Sequence, residues 1–211
     1  ENNELYIYGV TSSSDFPITT SAYDTTFAGG DSLYFTFNGT KFNFGTDIYV
    51  AKINATGTNL LGSTYVGGSA NDGINYTISQ VYDTLMNNYG DQYRGEIMLG
   101  KDNNCYITSS TKSTDFPSLN GFDNTLNGHQ DGVVFKLNTD LTSLKWSTYL
   151  GGSDADAWEF SFHEAFKNGL NERDVMLLFG RHGPKMLVIV FGGFRYAIFF
   201  DISVRSIIVH I

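Results

Sequence analysis

The sequence contains few cysteines, prolines and basic residues, and two of these shortages exclude a class of protein. Among 211 residues there is one cysteine, Cys105, which excludes an intrachain disulfide framework and a cysteine-based zinc cluster. Lysine and arginine number 13 against 22 aspartates and glutamates, giving a formal charge of −9. Because phosphate binding needs clustered basic side chains, this balance excludes a nucleic-acid partner. No apolar run approaches the roughly 20 residues of a transmembrane segment.

Glycine and aromatic residues are abundant instead. The chain has 23 Gly, 13 Tyr and 17 Phe but only 3 Pro, together with many Asn, Asp, Ser and Thr. This composition favours short strands joined by tight turns, so we predict an all-β fold. The absence of an initiating Met, a basic n-region and an apolar h-region leads us to interpret the sequence as a mature chain or an excised fragment.

The composition changes abruptly near residue 157. The excess of acidic residues lies within residues 1–156, threonine is absent from residues 157–211, and close to half of the phenylalanines lie in that tail. Two compositions this different predict two units, residues 1–157 and residues 158–211.

The first unit contains an internal repeat. Tyr6-Ile7, Thr11 and Asp15-Phe16-Pro17 recur 100 residues later as Tyr106-Ile107, Thr111 and Asp115-Phe116-Pro117. Beyond them the interval is 84 residues, and it aligns Asp47 with Asp131, Val50 with Val134, Lys52 with Lys136, Asn54 with Asn138, Ser63-Thr64-Tyr65 with Ser147-Thr148-Tyr149, Gly67-Gly68-Ser69 with Gly151-Gly152-Ser153, and Asp72 with Asp156. The change of interval predicts an insert at residues 31–46, and a second insert, residues 75–99, separates the copies.

Each copy has the pattern of a β-meander. We predict strands at Asp47–Ile53, Leu60–Val66, Cys105–Thr111, Asp131–Leu137 and Leu144–Leu150. The Asp-Phe-Pro step ends strand pairing because proline lacks the donor N–H, and we expect Phe16 and Phe116 to anchor the following loop by burial. Four such strands form one blade of a β-propeller, whose faces are buried only against neighbouring blades.

Together these motifs resemble the SBBP-type bacterial β-propeller repeat. The shared pattern is Thr-x-Ser-x-Asp-Phe-Pro, then Asp-x-x-Val-x-Lys-(Ile/Leu)-Asn, then Ser-Thr-Tyr-(Val/Leu)-Gly-Gly-Ser-x-x-Asp, over about residues 4–157. Residues 88–97 are similar to an insert in versions from large exported surface proteins of gliding-type bacteria. The resemblance implies an extracellular architecture of several antiparallel four-stranded blades, and it implies no catalytic residues. Two repeats form only an incomplete propeller.

The tail, residues 158–211, does not match that pattern. Ser161-x-x-Glu164 predicts a short helix near residues 161–168. Four apolar runs beyond it predict strands at Val175–Phe179, Met186–Phe191, Tyr196–Ile202 and Val204–Ile211. Two origins remain open: a fused segment that substitutes for a blade, or a tail produced by a shift of reading frame.

Two groups of residues are candidates for catalysis or for metal binding. Arg181-His182-Gly183 resembles the phosphohistidine motif of histidine phosphatases, in which a nucleophilic His lies beside a phosphate-binding Arg; a turn between strands is the alternative. Among the repeated acids, Asp154 and Asp156 are the calcium candidates, although such aspartates commonly hydrogen-bond their own turns.

These observations lead to one functional hypothesis and one alternative. We expect a non-catalytic extracellular scaffold or binding module of a bacterial surface protein, with no cofactor. Its partner is a protein or glycan at the cell surface, contacted through the inserts, and closure of the propeller requires further blades or another chain. The alternative is a hydrolase acting on surface polysaccharide or phosphate esters through Arg181, His182 and Gly183.

Overall fold

The structure is a computed structural model, and it describes most of the chain up to residue 156. The described residues are 3–35, 40–75, 93, 95–153, 155–156, 158–159, 179–180, 186–188 and 197–199. Their regular elements are β-strands in antiparallel sheets, without an α-helix. The all-β prediction is therefore confirmed for this part of the chain.

The first sheet has three strands. They are β1 (Leu5–Thr11), β4 (Asp47–Ile53) and β5 (Leu60–Val66), in the order β1-β4-β5. The predicted bounds of β4 and β5 match those of the structure. The blade was expected to have four strands, so this sheet is one strand smaller within the described residues.

The second sheet has the four strands of a meander. They are β6 (Glu96–Leu99), β7 (Cys105–Thr111), β8 (Asp131–Leu137) and β9 (Leu144–Leu150), in chain order. The sequence placed Glu96–Leu99 in an insert, but this segment pairs with β7 from Glu96 opposite Thr108 to Leu99 opposite Cys105. Its four residues are too short to show a clear strand period, which is why sequence reasoning missed it.

The two sheets have the same internal register. Thr11 lies opposite Asp47 in the first sheet, and Thr111 lies opposite Asp131 in the second. Both sheets also carry an irregularity at the same repeat position, between Lys52 and Ile53 and between Lys136 and Leu137. Since register fixes which face each side chain occupies, equivalent residues of the two copies point the same way.

A two-stranded hairpin projects from the first copy within residues 31–46. Its strands are β2 (Leu33–Phe35) and β3 (Thr40–Phe42), with Leu33 opposite Phe42. Buried Leu33 packs with Ile74, and Phe42 and Tyr93 pack against this pair. The hairpin is thus attached to the sheet by its own small apolar cluster.

One hydrophobic core joins the two sheets. The first sheet contributes Ile48, Val50 and Val66, and the second contributes Ile107, Val133, Phe135 and Leu137 among others. Period-2 alternation places these side chains on the facing sides of the sheets. At the edge of this core Tyr8 Oη and Ser109 Oγ lie 2.7 Å apart, within hydrogen-bonding distance. Each fully buried aliphatic side chain contributes about 1.5–3 kcal/mol, so the interface is a major source of stability.

Four short strands of the tail are described. They are β10 (Trp158–Glu159), β11 (Phe179–Gly180), β12 (Met186–Val188) and β13 (Ala197–Phe199), paired β10 with β11 and β12 with β13. The predicted helix near residues 161–168 and the predicted strand Val204–Ile211 lie outside the described residues.

Within the described part, the structure contains no helix of the length and apolarity needed to cross a membrane.

Candidate functional site

The repeat motifs of the two copies meet at a single polar junction. Gly67–Asp72, which we name the docking loop, follows β5 of the first sheet. Residues 111–117, which we name the receiving turn, begin at Thr111, the last residue of β7 in the second sheet. The two segments lie against each other, so residues from one end of the first copy and the start of the second form one hydrogen-bonded site.

The docking loop donates hydrogen bonds to two side chains of the receiving turn. Ser69 donates from its backbone N (2.8 Å) and from Oγ (3.1 Å) to Asp115 Oδ1. Ala70 N donates to Ser113 Oγ at 2.9 Å. Backbone bonds extend the contact, from Gly73 N to Ser110 O and from Lys112 N to Asn71 O. Bonds to the charged Asp115 carboxylate are the stronger class, and they account for the lowered pKa of Asp115.

Asp72 is the centre of the junction and is completely buried. Its carboxyl accepts hydrogen bonds from Gly68 N (2.7 Å), from Ser113 Oγ (2.9 Å) and from Thr111 Oγ1. Burial raises the pKa of Asp72 to about 8, even though these three bonds act in the opposite direction. Burial thus favours the neutral carboxyl over the carboxylate, and the hydrogen bonds of Asp72 link the docking loop to the receiving turn.

Both glycines of the docking loop are required by close approach. A Cβ on Gly67 would lie 2.9 Å from the carboxyl groups of both Asp47 and Asp72. A Cβ on Gly68 would lie 2.6 Å from Ser113 Cβ. Real Cβ atoms do not make such contacts, so a larger residue at Gly67 would displace Asp47 or Asp72 within the first copy, and one at Gly68 would separate the docking loop from the receiving turn.

The equivalent aspartates Asp47 and Asp131 fix the loops that precede their strands. Asp47 accepts hydrogen bonds from Ala28 N (2.7 Å) and Gly29 N (2.8 Å). Asp131 accepts one from Asn127 N at 2.8 Å. Burial raises the pKa of Asp47 to about 6 and that of Asp131 to about 7. Gly151 lies so close to Asp131 that no side chain fits between them.

The two Asp-Phe-Pro steps differ in burial. Phe116 is 3% exposed and packs on Phe135 and Tyr149, with ring centroids 5.9 and 6.3 Å apart, which confirms that it anchors its loop. Phe16 packs on Tyr49 at 4.2 Å but is only half-buried. Of the two prolines that follow, Pro117 is half-buried and Pro17 is exposed.

The residues predicted to bind calcium do not form a metal site where they are described. Asp156 Oδ2 accepts a hydrogen bond from Gly152 N at 2.6 Å, the turn role that was the alternative to calcium. Asp154 lies outside the described residues. No group of three or more His, Cys, Asp or Glu side chains in the described part is placed to hold a metal ion.

The candidate catalytic residues of the hydrolase alternative, Arg181, His182 and Gly183, lie outside the described residues. The single thiol does not supply a nucleophile. Cys105 is completely buried in the core, and this burial raises its pKa to about 12, so it is not ionised at neutral pH.

Exposed aromatic side chains lie on the first insert. Tyr34, on β2, is 52% exposed, and Phe44, just after β3, is 68% exposed. Tyr34 stands opposite Lys41 across the hairpin. We name Tyr34, Lys41 and Phe44 the hairpin surface. Exposed aromatic groups close together on one surface element are typical of recognition sites.

Comparison with known proteins adds no relative. No protein-family model matches the chain, and no curated protein matches it.

Sequence reasoning identified the motifs but not their contact. Asp15, Phe16, Pro17, Asp115, Phe116, Pro117, Gly67, Gly68, Gly151 and Gly152 were predicted as structural repeat positions. The structure brings Gly68 together with Asp115 and Phe116, whereas Gly67 lies against Asp47 and Asp72. The signal that was available is that both motifs recur in both copies, as expected if the end of each copy binds the start of the next.

Proposed function

We propose that this chain is a non-catalytic scaffold and binding module of a bacterial surface protein, built from blades of an SBBP-type β-propeller. The observation that carries the proposal is the polar junction, in which the repeat motifs of the two copies hold one sheet against the next. Asp72, Asp115 and Ser113 are engaged in hydrogen bonds between the two copies. These hydrogen bonds support a role of the three side chains in assembly of the two copies.

The proposed location is extracellular, and the proposed partner is a protein or glycan of the cell surface. The hairpin surface supports this part of the proposal, because Tyr34 and Phe44 present aromatic groups to solvent from an insert that interrupts the repeat. Aromatic side chains carry much of the energy of protein interfaces. Such groups also stack on the apolar faces of sugar rings. Remaining blades or another chain would complete the propeller.

The test is binding of the chain to a glycan array and to proteins extracted from a bacterial surface. We expect Tyr34→Ala with Phe44→Ala to weaken the strongest signal at least tenfold, the effect of losing about 1.4 kcal/mol. Leu99→Ala, which truncates a side chain 41% exposed on the second sheet, is the matched control. Absence of any specific signal, or equal binding by the double variant, would contradict the proposal.

The hydrolase alternative has its own readout. It requires turnover of a polysaccharide or phosphate ester that is lost on His182→Ala. Turnover that survives this substitution, or the absence of turnover, removes the alternative.

A further inference from the structure

Each half of the polar junction occurs twice in the sequence, and within the described residues one docking loop meets one receiving turn. The second docking loop is Gly151–Asp156, which follows β9, and the second receiving turn is Thr11–Pro17, which follows β1. The polar groups that the junction uses are present in both segments. What these two unmatched halves would bind is therefore specified by the matched pair.

The free receiving turn already has the bound conformation. Ser13 N donates to Thr11 Oγ1 at 3.1 Å, as Ser113 N donates to Thr111 Oγ1 at 3.0 Å. The carbonyls of Ser13 and Ser113 each accept a hydrogen bond of 2.8 Å from a buried tyrosine, Tyr65 and Tyr149 respectively. A turn held in this way binds without paying the entropy of ordering a loop.

The Ser13 and Asp15 side chains of this turn are accessible to solvent. Ser13 is exposed, whereas Ser113 is completely buried in the junction. Within the described residues neither Ser13 Oγ nor the exposed Asp15 carboxylate has a hydrogen-bond partner. The same difference extends along the strand, because Leu5 is 58% exposed while its equivalent, Cys105, is completely buried.

Gly152 and Asp156 of the second docking loop are arranged as Gly68 and Asp72 are in the filled junction. Gly152 N donates to Asp156 Oδ2 at 2.6 Å, as Gly68 N donates to Asp72 Oδ2 at 2.7 Å. Asp156 N donates to Gln130 O at 2.7 Å, as Asp72 N donates to Thr46 O at 2.8 Å. Gly152 and Ser153 are exposed. Among the described residues, a Cβ on Gly152 would have Asp156 Oδ2, at 3.8 Å, as its nearest neighbour, so none of them occupies the space that Ser113 fills beside Gly68.

We propose that Gly151–Asp156 of one copy of this chain docks on Thr11–Pro17 of a second copy, so that copies associate head to tail. Ser153 donates to Asp15 of the second copy, and Ser13 and Thr11 of that copy donate to the Asp156 carboxyl. The contact is heterologous, so it continues from copy to copy into a ring or an open chain. It rests on the observed junction and not on ligand recognition by the hairpin surface, so the two proposals fail separately.

The test uses one substitution in each half and light-scattering mass measurement of the full chain over a range of concentrations. Gly152→Leu disables the docking loop, and Ser13→Arg, or alternatively Asp15→Lys, disables the receiving turn. We expect the mass of the unaltered chain to rise with concentration and each variant alone to remain a monomer. An equimolar mixture of Gly152→Leu with Ser13→Arg retains one functional half of each kind and forms a dimer that does not extend.

Matched variants at the engaged copy serve as controls for folding. Gly68→Leu and Ser113→Arg place the same side chains in the filled junction and should lower the unfolding temperature strongly. Gly152→Leu and Ser13→Arg should leave it unchanged in the monomer. A monomeric unaltered chain at every concentration overturns the proposal. So does association that persists in both variants, or a mixture of folded variants that forms no dimer.

Discussion

At the scale of single residues, the most unusual feature of this chain is a set of three buried carboxyl groups. Asp47, Asp72 and Asp131 are each completely buried, and burial raises the pKa of each above its ordinary value. A buried charge without a cationic partner is costly, so these groups hold their protons to higher pH than exposed carboxyls do. Their hydrogen bonds fix backbone loops, and the protonated form is the one that the folded chain prefers.

This preference predicts that the chain becomes less stable as pH rises. Below about pH 4 the Asp72 carboxyl is protonated in both the folded and the unfolded chain. From there to about pH 8, the pKa of Asp72 in the folded chain, only the folded chain keeps the proton. Within this window the free energy of unfolding should fall by about 1.4 kcal/mol per pH unit for this one group, with the fall complete above pH 8.

Urea denaturation from about pH 5 to about pH 7.5 measures this slope. Asp47 adds to the slope up to about pH 6 and Asp131 up to about pH 7, the pKa values of these two groups in the folded chain. Burial lowers the pKa of Lys112 only to about 8, so its contribution begins above this range. Asp72→Asn should therefore reduce the slope, most clearly above pH 7, where Asp72 is the main contributor among the three carboxyl groups. An unchanged slope in Asp72→Asn would show that Asp72 is ionised in the folded chain.

The turn between β4 and β5 and the turn between β8 and β9 have the same geometry but achieve it with different residues. Asn54 Oδ1 accepts hydrogen bonds from Thr58 N and Asn59 N, and Asn138 Oδ1 accepts them from Thr142 N and Ser143 N. Each turn then needs one residue with positive φ. In the first it is Gly57 (φ 72°), and in the second it is Leu141 (φ 59°), a completely buried member of the core. Burial offsets the backbone strain at Leu141.

Alanine at these two equivalent positions should be destabilising for different reasons. Gly57→Ala places a Cβ in open space but in a left-handed conformation, at a cost of about 1–2 kcal/mol. Leu141→Ala keeps the strain and removes core packing, at a cost of about 2–5 kcal/mol. Urea denaturation gives both values, with Leu61→Ala, at a side chain 45% exposed, as the control. An equal loss for Leu61→Ala and Leu141→Ala would refute the assigned role of Leu141 in the core.

Strand positions were predictable from the sequence because they depend on local pattern. Short β-branched and aromatic runs bounded by turn residues placed β4, β5, β7, β8 and β9 at their observed bounds. The junction was not predictable, since hydrogen bonds from Ser113 to Asp72 and from Ser69 to Asp115 depend on how two sheets pack. Leu141 was missed for the same reason: its positive φ is tolerated only because of tertiary burial. Recurrence of the motifs showed that they mattered but not what they contact.

At the scale of the whole molecule, the shared core makes the two sheets one cooperative unit. Val50 of the first sheet lies in the same buried cluster as Ile107 and Phe135 of the second. A loss of packing on one side of this cluster therefore weakens the contact that both sheets need. Neither sheet has a second apolar cluster in the described part large enough to stabilise it alone, since the other cluster contains only Leu33 and Ile74 as buried members.

A probe in one sheet and a substitution in the other test this cooperativity. Trp146 lies on β9, and in a Trp158→Phe background it reports on the second sheet alone by fluorescence. Val50→Ala, on β4, should cost about 2 kcal/mol, from two methyl groups at about 0.8 kcal/mol each and the cavity they leave. The Trp146 transition should shift as far as the circular-dichroism transition, which reports on both sheets, whereas Leu60→Ala, at a side chain 39% exposed, should shift neither. If Val50→Ala moved the circular-dichroism transition and left Trp146 unaffected, the sheets would be independent units, and the junction at Asp72 would be only a contact between them.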